Sequence, residues 1–103
     1  MSNVIISFAR TPIGSFLGSL STVSAPKLGS MAIKGTLDRA QIDKGLIDQV
    51  IMGNVLSAGL GQAPARQASI YSGLSNNVDC LTINKMCGSG IQSIMLADDI
   101  IKN

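Results

Sequence analysis

Wound into a helix, the stretch from Gly88 to Lys102, GSGIQSIMLADDIIK, is apolar nearly all the way round. At 3.6 residues per turn Ile91, Ile94, Met95 and Ile101 share one side, while Leu96, Ala97 and Ile100 fall on the opposite one. A helix of this kind is stable only when covered on both faces, as in a layer squeezed between two sheets. The rest of the chain reads as three strands at most, too few for two sheets. The covering material is therefore more polypeptide or a partner subunit. Composition points the same way: 46% of the 103 residues are hydrophobic, only 14% are charged, and the mean hydropathy is +0.37. With two Phe, one Tyr and no Trp, the interior has to be built from Ile, Leu, Val, Met and Ala.

The remaining segments alternate. NVIISFA, residues 3 to 9, is a β-branched run too brief for a helix that reads as a buried strand, and it stops at the loop of the turn-forming RTPIGSFLGSL. Ser24 is a candidate cap for a helix over 25–42 whose first turn tolerates Pro26. Gly29 and Gly35 each cost that helix about 1 kcal/mol relative to Ala, which marks close packing against a neighbour. A second strand is expected over 48–56 and a short helix over 63–72, between Pro64 and Gly73. A third strand follows over 78–84. The order β-α-β-α-β-α predicts an α/β fold with at least partly parallel strands.

Several function classes find no support. The net charge is +2, with eight Lys and Arg scattered from Arg10 to Lys102 and no pattern of aromatic residues interleaved with them, so no nucleic-acid partner is expected. No apolar run is long enough to span a membrane. The chain passes from Met-Ser-Asn straight into a strand-like run with no leader-like segment, and a cytoplasmic location is the expectation. Cys80 and Cys87 lie seven apart with no metal-ligand spacing, so no metal site is expected and both thiols should be reduced. GLGQAP at 59–64 has neither phosphate-loop spacing and reads as a turn. Arg66 reads as a surface or interface residue, and Asp98 as either paired with a cation or placed at an exposed helix end.

The chemistry-bearing stretch is NKMCGSG, residues 84–90. It puts Cys87 on the junction between a strand and a helix, where Gly88 and Gly90 admit close backbone approach. First-turn amides and the positive end of the helix dipole suit a thiolate and an oxyanion. Cysteine is also among the most buried residue types, so the local pattern leaves a packing role open for Cys87. Cys80, inside a strand, reads as a core residue. The chain contains no histidine to activate either thiol.

Three stretches taken together, ARTPIGSFLGSLSTVSAPKLG, VIMGNVLSAGLGQAPARQAS and INKMCGSGIQSIMLADDII, resemble in order and spacing the N-terminal part of a thiolase of the acetyl-CoA acetyltransferase type. The resemblance covers essentially the whole chain. It implies an incomplete thiolase N-terminal domain over 1–103, a β-α-β-α-β-α segment of the layered αβαβα fold, with the nucleophile helix in the central layer. It further implies that Cys87 is the acyl-accepting nucleophile, with its backbone N–H donating to the oxyanion. The reaction would be the reversible Claisen condensation of two acetyl-CoA to acetoacetyl-CoA and CoA. Coenzyme A thioesters would be substrates, with no cofactor. In this family the activating histidine and a second cysteine lie in the C-terminal half, so the chain alone is expected to be inactive. A homodimer or homotetramer is implied for the full-length protein, with residues 79–84 pairing across the dimer axis. Leu17 stands where Gly is common, and Lys27 where an acid is common. The alternative is a non-catalytic interaction module or thiol-reactive remnant.

Overall fold

Ser24 opens the first helix as its sequence predicts. In the computed structural model, which describes residues 2–103, its hydroxyl accepts from the Lys27 amide at 3.4 Å, and Pro26 sits in the first turn of α1 (Ala25–Ala40). The helix stops two residues earlier than expected, at Gln41 in the left-handed region (φ 53°), where the Ile42 amide folds back to the Leu37 carbonyl at 3.1 Å. A short 3-10 turn, Lys44–Leu46, follows. It is held by the Asp43 side chain, which accepts from the Gly45 amide at 2.9 Å.

Strands β1 (Gln49–Gly53) and β2 (Asp79–Ile83) pair in parallel, with Gln49 opposite Asp79 and Gly53 opposite Ile83. Helix α2 (Pro64–Tyr71) connects them, and α3 (Ser89–Lys102) follows β2. Both strands are shorter than the expected 48–56 and 78–84. The alternation of a strand divides these elements between two faces. Val50 and Met52 pack with α1 and α2, around a core of Leu37, Val50, Leu74 and Val78 that Cys80 also joins. Gly53 faces the other way and meets α3. The packing expected of the α1 glycines is present: a Cβ on Gly29 would lie 3.1 Å from Met52 Cε and 3.2 Å from Ala68 Cβ, and one on Gly35 would lie 3.3 Å from Ala9 Cβ.

One expectation needs correction. Residues 3–9 form no strand: no ladder partner stands beside them, and Val4, Ile5, Ile6 and Phe8 are exposed. Side-chain bonds tether the segment instead. Ser7 Oγ donates to the Thr36 carbonyl at 2.8 Å, Arg39 donates to the Phe8 carbonyl at 3.0 Å, and Asn3 donates to Asp98 Oδ1 at 2.8 Å. The segment thus touches both helix layers, where a strand would lie, but strand structure needs a neighbour to take its backbone bonds. Helix α3 is covered on one face only, as expected of a chain with too few strands to sandwich it. Ser89 and Ser93 are buried, whereas Ile91, Ile94, Met95 and Ile101 are each more than half exposed, because a two-stranded sheet shields only one side.

The accessible surface makes the same point in bulk. It is 7411 Å², against roughly 5,500 Å² for a closed monomer of this mass. Leu17, where glycine is common in the resembling family, takes φ 57° and is exposed. A side chain in that left-handed conformation costs about 1–2 kcal/mol. Where the resembling family commonly has an acid, Lys27 lies over the Tyr71 ring at 5.5 Å.

Leu37 ties α1 to the sheet. Leu37→Ala is expected to lower the unfolding free energy by about 2–5 kcal/mol in a urea titration, whereas Leu46→Ala, at an exposed position, changes it by less than about 0.5 kcal/mol. Similar small effects at both positions would contradict this assignment of the core.

Candidate functional site

Between the end of β2 and the start of α3 the chain must reverse within five residues, and the side chains of that turn hold it in place. Asn84 Oδ1 accepts from the Met86 amide at 2.9 Å, the side-chain-to-backbone bond that an Asn makes two residues ahead in an Asx turn. The Gly88 amide donates to the Lys85 carbonyl at 3.0 Å, and the Ser89 amide to the Met86 carbonyl at 3.1 Å. Ser89 Oγ accepts from the Lys85 amide at 2.8 Å and donates to the Met86 carbonyl at 2.7 Å. Met86 at the apex has φ 49°. A residue with a side chain held there stores about 1–3 kcal/mol of strain, which the surrounding bonds must offset. The next residue along this bend is Cys87, whose side chain is exposed.

Helix α3 starts immediately after, with Gly88 as its N-cap and no side-chain capping bond. Among the described residues no hydrogen bond engages the amides of Gly90 and Ile91, the open donors that every helix N-terminus carries. A thiol displayed beside such donors is well placed to attack a carbonyl carbon, and the donors suit the oxygen that then becomes negative. The Lys85 ammonium is engaged by Gln92 Oε1 at 3.1 Å.

The start of α3 presses on β1. A Cβ on Gly53 would lie 2.7 Å from Ser89 Cβ and 2.8 Å from its carbonyl carbon, so only glycine fits. The sequence does not single out Gly53, because the contact joins positions 36 residues apart. Asn84 is different: an Asn two residues before a turn apex is a local signal, legible once Met86 is known to turn there.

The other residues weighed from sequence fall outside this site. Cys80 is half-buried, with its thiol 3.5 Å from the Val78 carbonyl. Arg66 spends its guanidinium on the carbonyls of Val78 at 3.0 Å and Asn76 at 2.9 Å, which fastens α2 to the loop before β2. Gln67 donates to the carbonyls of Leu60 and Gln62, both at 2.7 Å, and so shapes the 59–64 turn, where Gly59 and Gly61 have positive φ. Asp98 pairs with Lys102 at 2.8 Å. The Lys102 and Asn3 hydrogen bonds hold its carboxyl below the usual aspartate range. Among the described residues no cluster of His, Cys, Asp and Glu is arranged to hold a metal ion. A groove of about 640 Å³ lined by Leu46, Ile51, Ile94 and Ile101 is apolar and does not contain Cys87.

Comparison with known proteins agrees with this geometry. Residues 3–103 match the family model for the thiolase N-terminal domain. The chain is 56% identical over 99 residues to the acetyl-CoA acetyltransferase of Escherichia coli, covering 96% of this chain and 25% of that protein. It is 54% identical over 98 residues to acetyl-CoA acetyltransferase 2 of Arabidopsis thaliana, covering 95% and 24%. With a mitochondrial acetyl-CoA acetyltransferase of Danio rerio it shares 60% identity over 94 residues, covering 91% and 22%. Among solved structures, the Acat5 thiolase from Ascaris suum in complex with coenzyme A superposes with a TM-score of 0.91 at 42% identity, over 94% of this chain and 25% of that one. The chain therefore spans about a quarter of the length of the relatives it matches.

The contact at Gly53 yields a direct test. Gly53→Ala is expected to destabilise the chain by about 1–3 kcal/mol through overpacking at the start of α3, whereas Gly90→Ala, which meets nothing within 4 Å, changes stability by less than about 1 kcal/mol. Urea unfolding of the two variants distinguishes them, and a Gly53→Ala chain as stable as the parent would contradict the close approach.

Proposed function

Since the chain belongs to the thiolase family and matches its N-terminal domain, we propose that it is the nucleophile-bearing part of an acetyl-CoA acetyltransferase and that Cys87 accepts the acyl group. One observation carries this reading: an exposed cysteine set on a strained strand-to-helix turn, within the stretch NKMCGSG that resembles the family's nucleophile motif. In this reaction the Cys87 thiolate attacks the thioester carbonyl of an acyl-CoA and the CoA thiolate leaves. The carbanion of a second acetyl-CoA then attacks the acyl-cysteine, forming acetoacetyl-CoA and releasing Cys87. Thiolysis is the reverse. Covalent capture divides one difficult bond formation into two easier steps.

The chain has no histidine, so in our reading the base that activates Cys87 is supplied from outside these residues, as is the second cysteine that moves the proton of acetyl-CoA. The same absence favours a thiol-reactive, non-catalytic role for the segment acting alone. Coenzyme A thioesters are the substrates in our reading, with no cofactor. The names of the relatives support this, as does the coenzyme A complex of the Ascaris thiolase. We also read the full-length protein as a homodimer or homotetramer joined through the open edge of β2, since β2 pairs with β1 on one side only. Similar proteins include mitochondrial ones. Two unpaired thiols fit a compartment that keeps cysteines reduced, of which the cytoplasm is the one we propose. No helix among the described residues is long and apolar enough to cross a membrane.

The test is a hybrid enzyme in which this chain replaces the matching N-terminal quarter of the Escherichia coli relative. The hybrid is expected to cleave acetoacetyl-CoA in the presence of CoA, while the 103-residue chain alone does not. Cys87→Ser abolishes the activity and Cys80→Ser retains most of it. Turnover by the chain alone, or equal loss in the two cysteine variants, would count against the assignment.

A further inference from the structure

We propose that Asn84 and Ser89 are positioning residues for acyl transfer, which act by pinning Met86 and thereby aim Cys87; this rests on the thiolase reading above. The direction in which the Cys87 side chain leaves the backbone follows from the φ and ψ of Met86. Both polar groups of that residue are held by side chains. Its N–H donates to Asn84 Oδ1 at 2.9 Å, and its carbonyl accepts from Ser89 Oγ at 2.7 Å. Met86 without these bonds would relax from φ 49° to the right-handed or extended regions that L-residues prefer, and Cys87 would turn with it.

Ser89 is itself fixed. It is 5% exposed and seated against Gly53 of β1, and its hydroxyl both donates within the turn and accepts from the Lys85 amide at 2.8 Å. A continuous path therefore runs from the sheet through Gly53 and Ser89 to Met86 and the thiol. Asn84 reaches the same residue from the β2 side. Asn84 Oδ1 and Ser89 Oγ each hold backbone groups of this turn. Their effect on the reaction is one of aim. This also gives a physical reason for the spacing Asn-x-x-Cys-x-Ser, in which the two braces flank the bend that displays the nucleophile.

The experiment uses the hybrid enzyme, with kcat and KM measured separately in acetoacetyl-CoA thiolysis and a thermal melt for each variant. Asn84→Ala and Ser89→Ala are expected to lower kcat by about 10²-fold, the scale that about an ångström of misplacement costs, with KM changed by less than about twofold. Asn84→Ser keeps a neutral acceptor able to take the amide two residues on, and it is expected to recover most of the lost kcat. Unchanged kcat in both alanine variants, or losses shared equally by Asn84→Ala and Asn84→Ser, would overturn the inference. So would a fall in kcat matched by an equal rise in KM. Inactivity of the unsubstituted hybrid would remove the thiolase reading, and the inference would fall with it.

Discussion

The bare backbone contact between Gly53 and Ser89 is the constraint on which the arrangement around Cys87 depends. With no side chain between them, the first turn of α3 lies directly on the end of β1, and a Cβ there would intrude to 2.7 Å. Seating α3 this deeply leaves only a five-residue bend between it and β2, in which Met86 takes a positive φ of 49°. The exposed Cys87 is the outcome of that sequence of constraints. Strain at the bend is tolerated because its cost is spread over several short hydrogen bonds and a buried serine.

The outer surface follows a different logic. One face of the sheet is closed by α1 and α2 over Leu37, Val50, Leu74 and Val78, which makes this half a packed layer. The other face carries α3, whose far side is bare, and the extended residues 3–9 lie against both helix layers without a ladder. An isolated chain with this much apolar exposure and with unpaired edges on both strands is prone to self-association. The family assignment gives these surfaces a purpose, because the relatives are about four times as long as the stretch they share with it.

Much of the fold was legible in the sequence, for local reasons. Ser24 and Pro26 announce the start of α1, Pro64 that of α2, and the glycines at 29 and 35 mark a helix that packs closely. One element that depends on absent neighbours was misread, since NVIISFA has strand composition but finds no strand to pair with; α3 was read correctly as a core-type helix that this chain alone leaves half covered. At the site, Cys87 and its place between strand and helix were legible from NKMCGSG. The functions of Ser89 and Gly53 were not, because they reside in a hydrogen bond and in a long-range contact that no periodicity encodes, and that of Asn84 becomes legible only once the turn at Met86 is known. Arg66 and Gln67 are similar cases. A motif identifies them, and only the structure shows them fastening loops through backbone carbonyls.

The most direct measurement of the central claim is to trap the acyl-enzyme. The hybrid is mixed with acetoacetyl-CoA, quenched in acid, cut with trypsin and analysed by mass spectrometry. Trypsin separates the two thiols, since cleavage after Arg66, Lys85 and Lys102 leaves Cys80 on peptide 67–85 and Cys87 on peptide 86–102. The account predicts the mass of one acyl group on the peptide carrying Cys87 and none on the peptide carrying Cys80. An acyl group on the Cys80 peptide, or turnover with neither peptide modified, would contradict it.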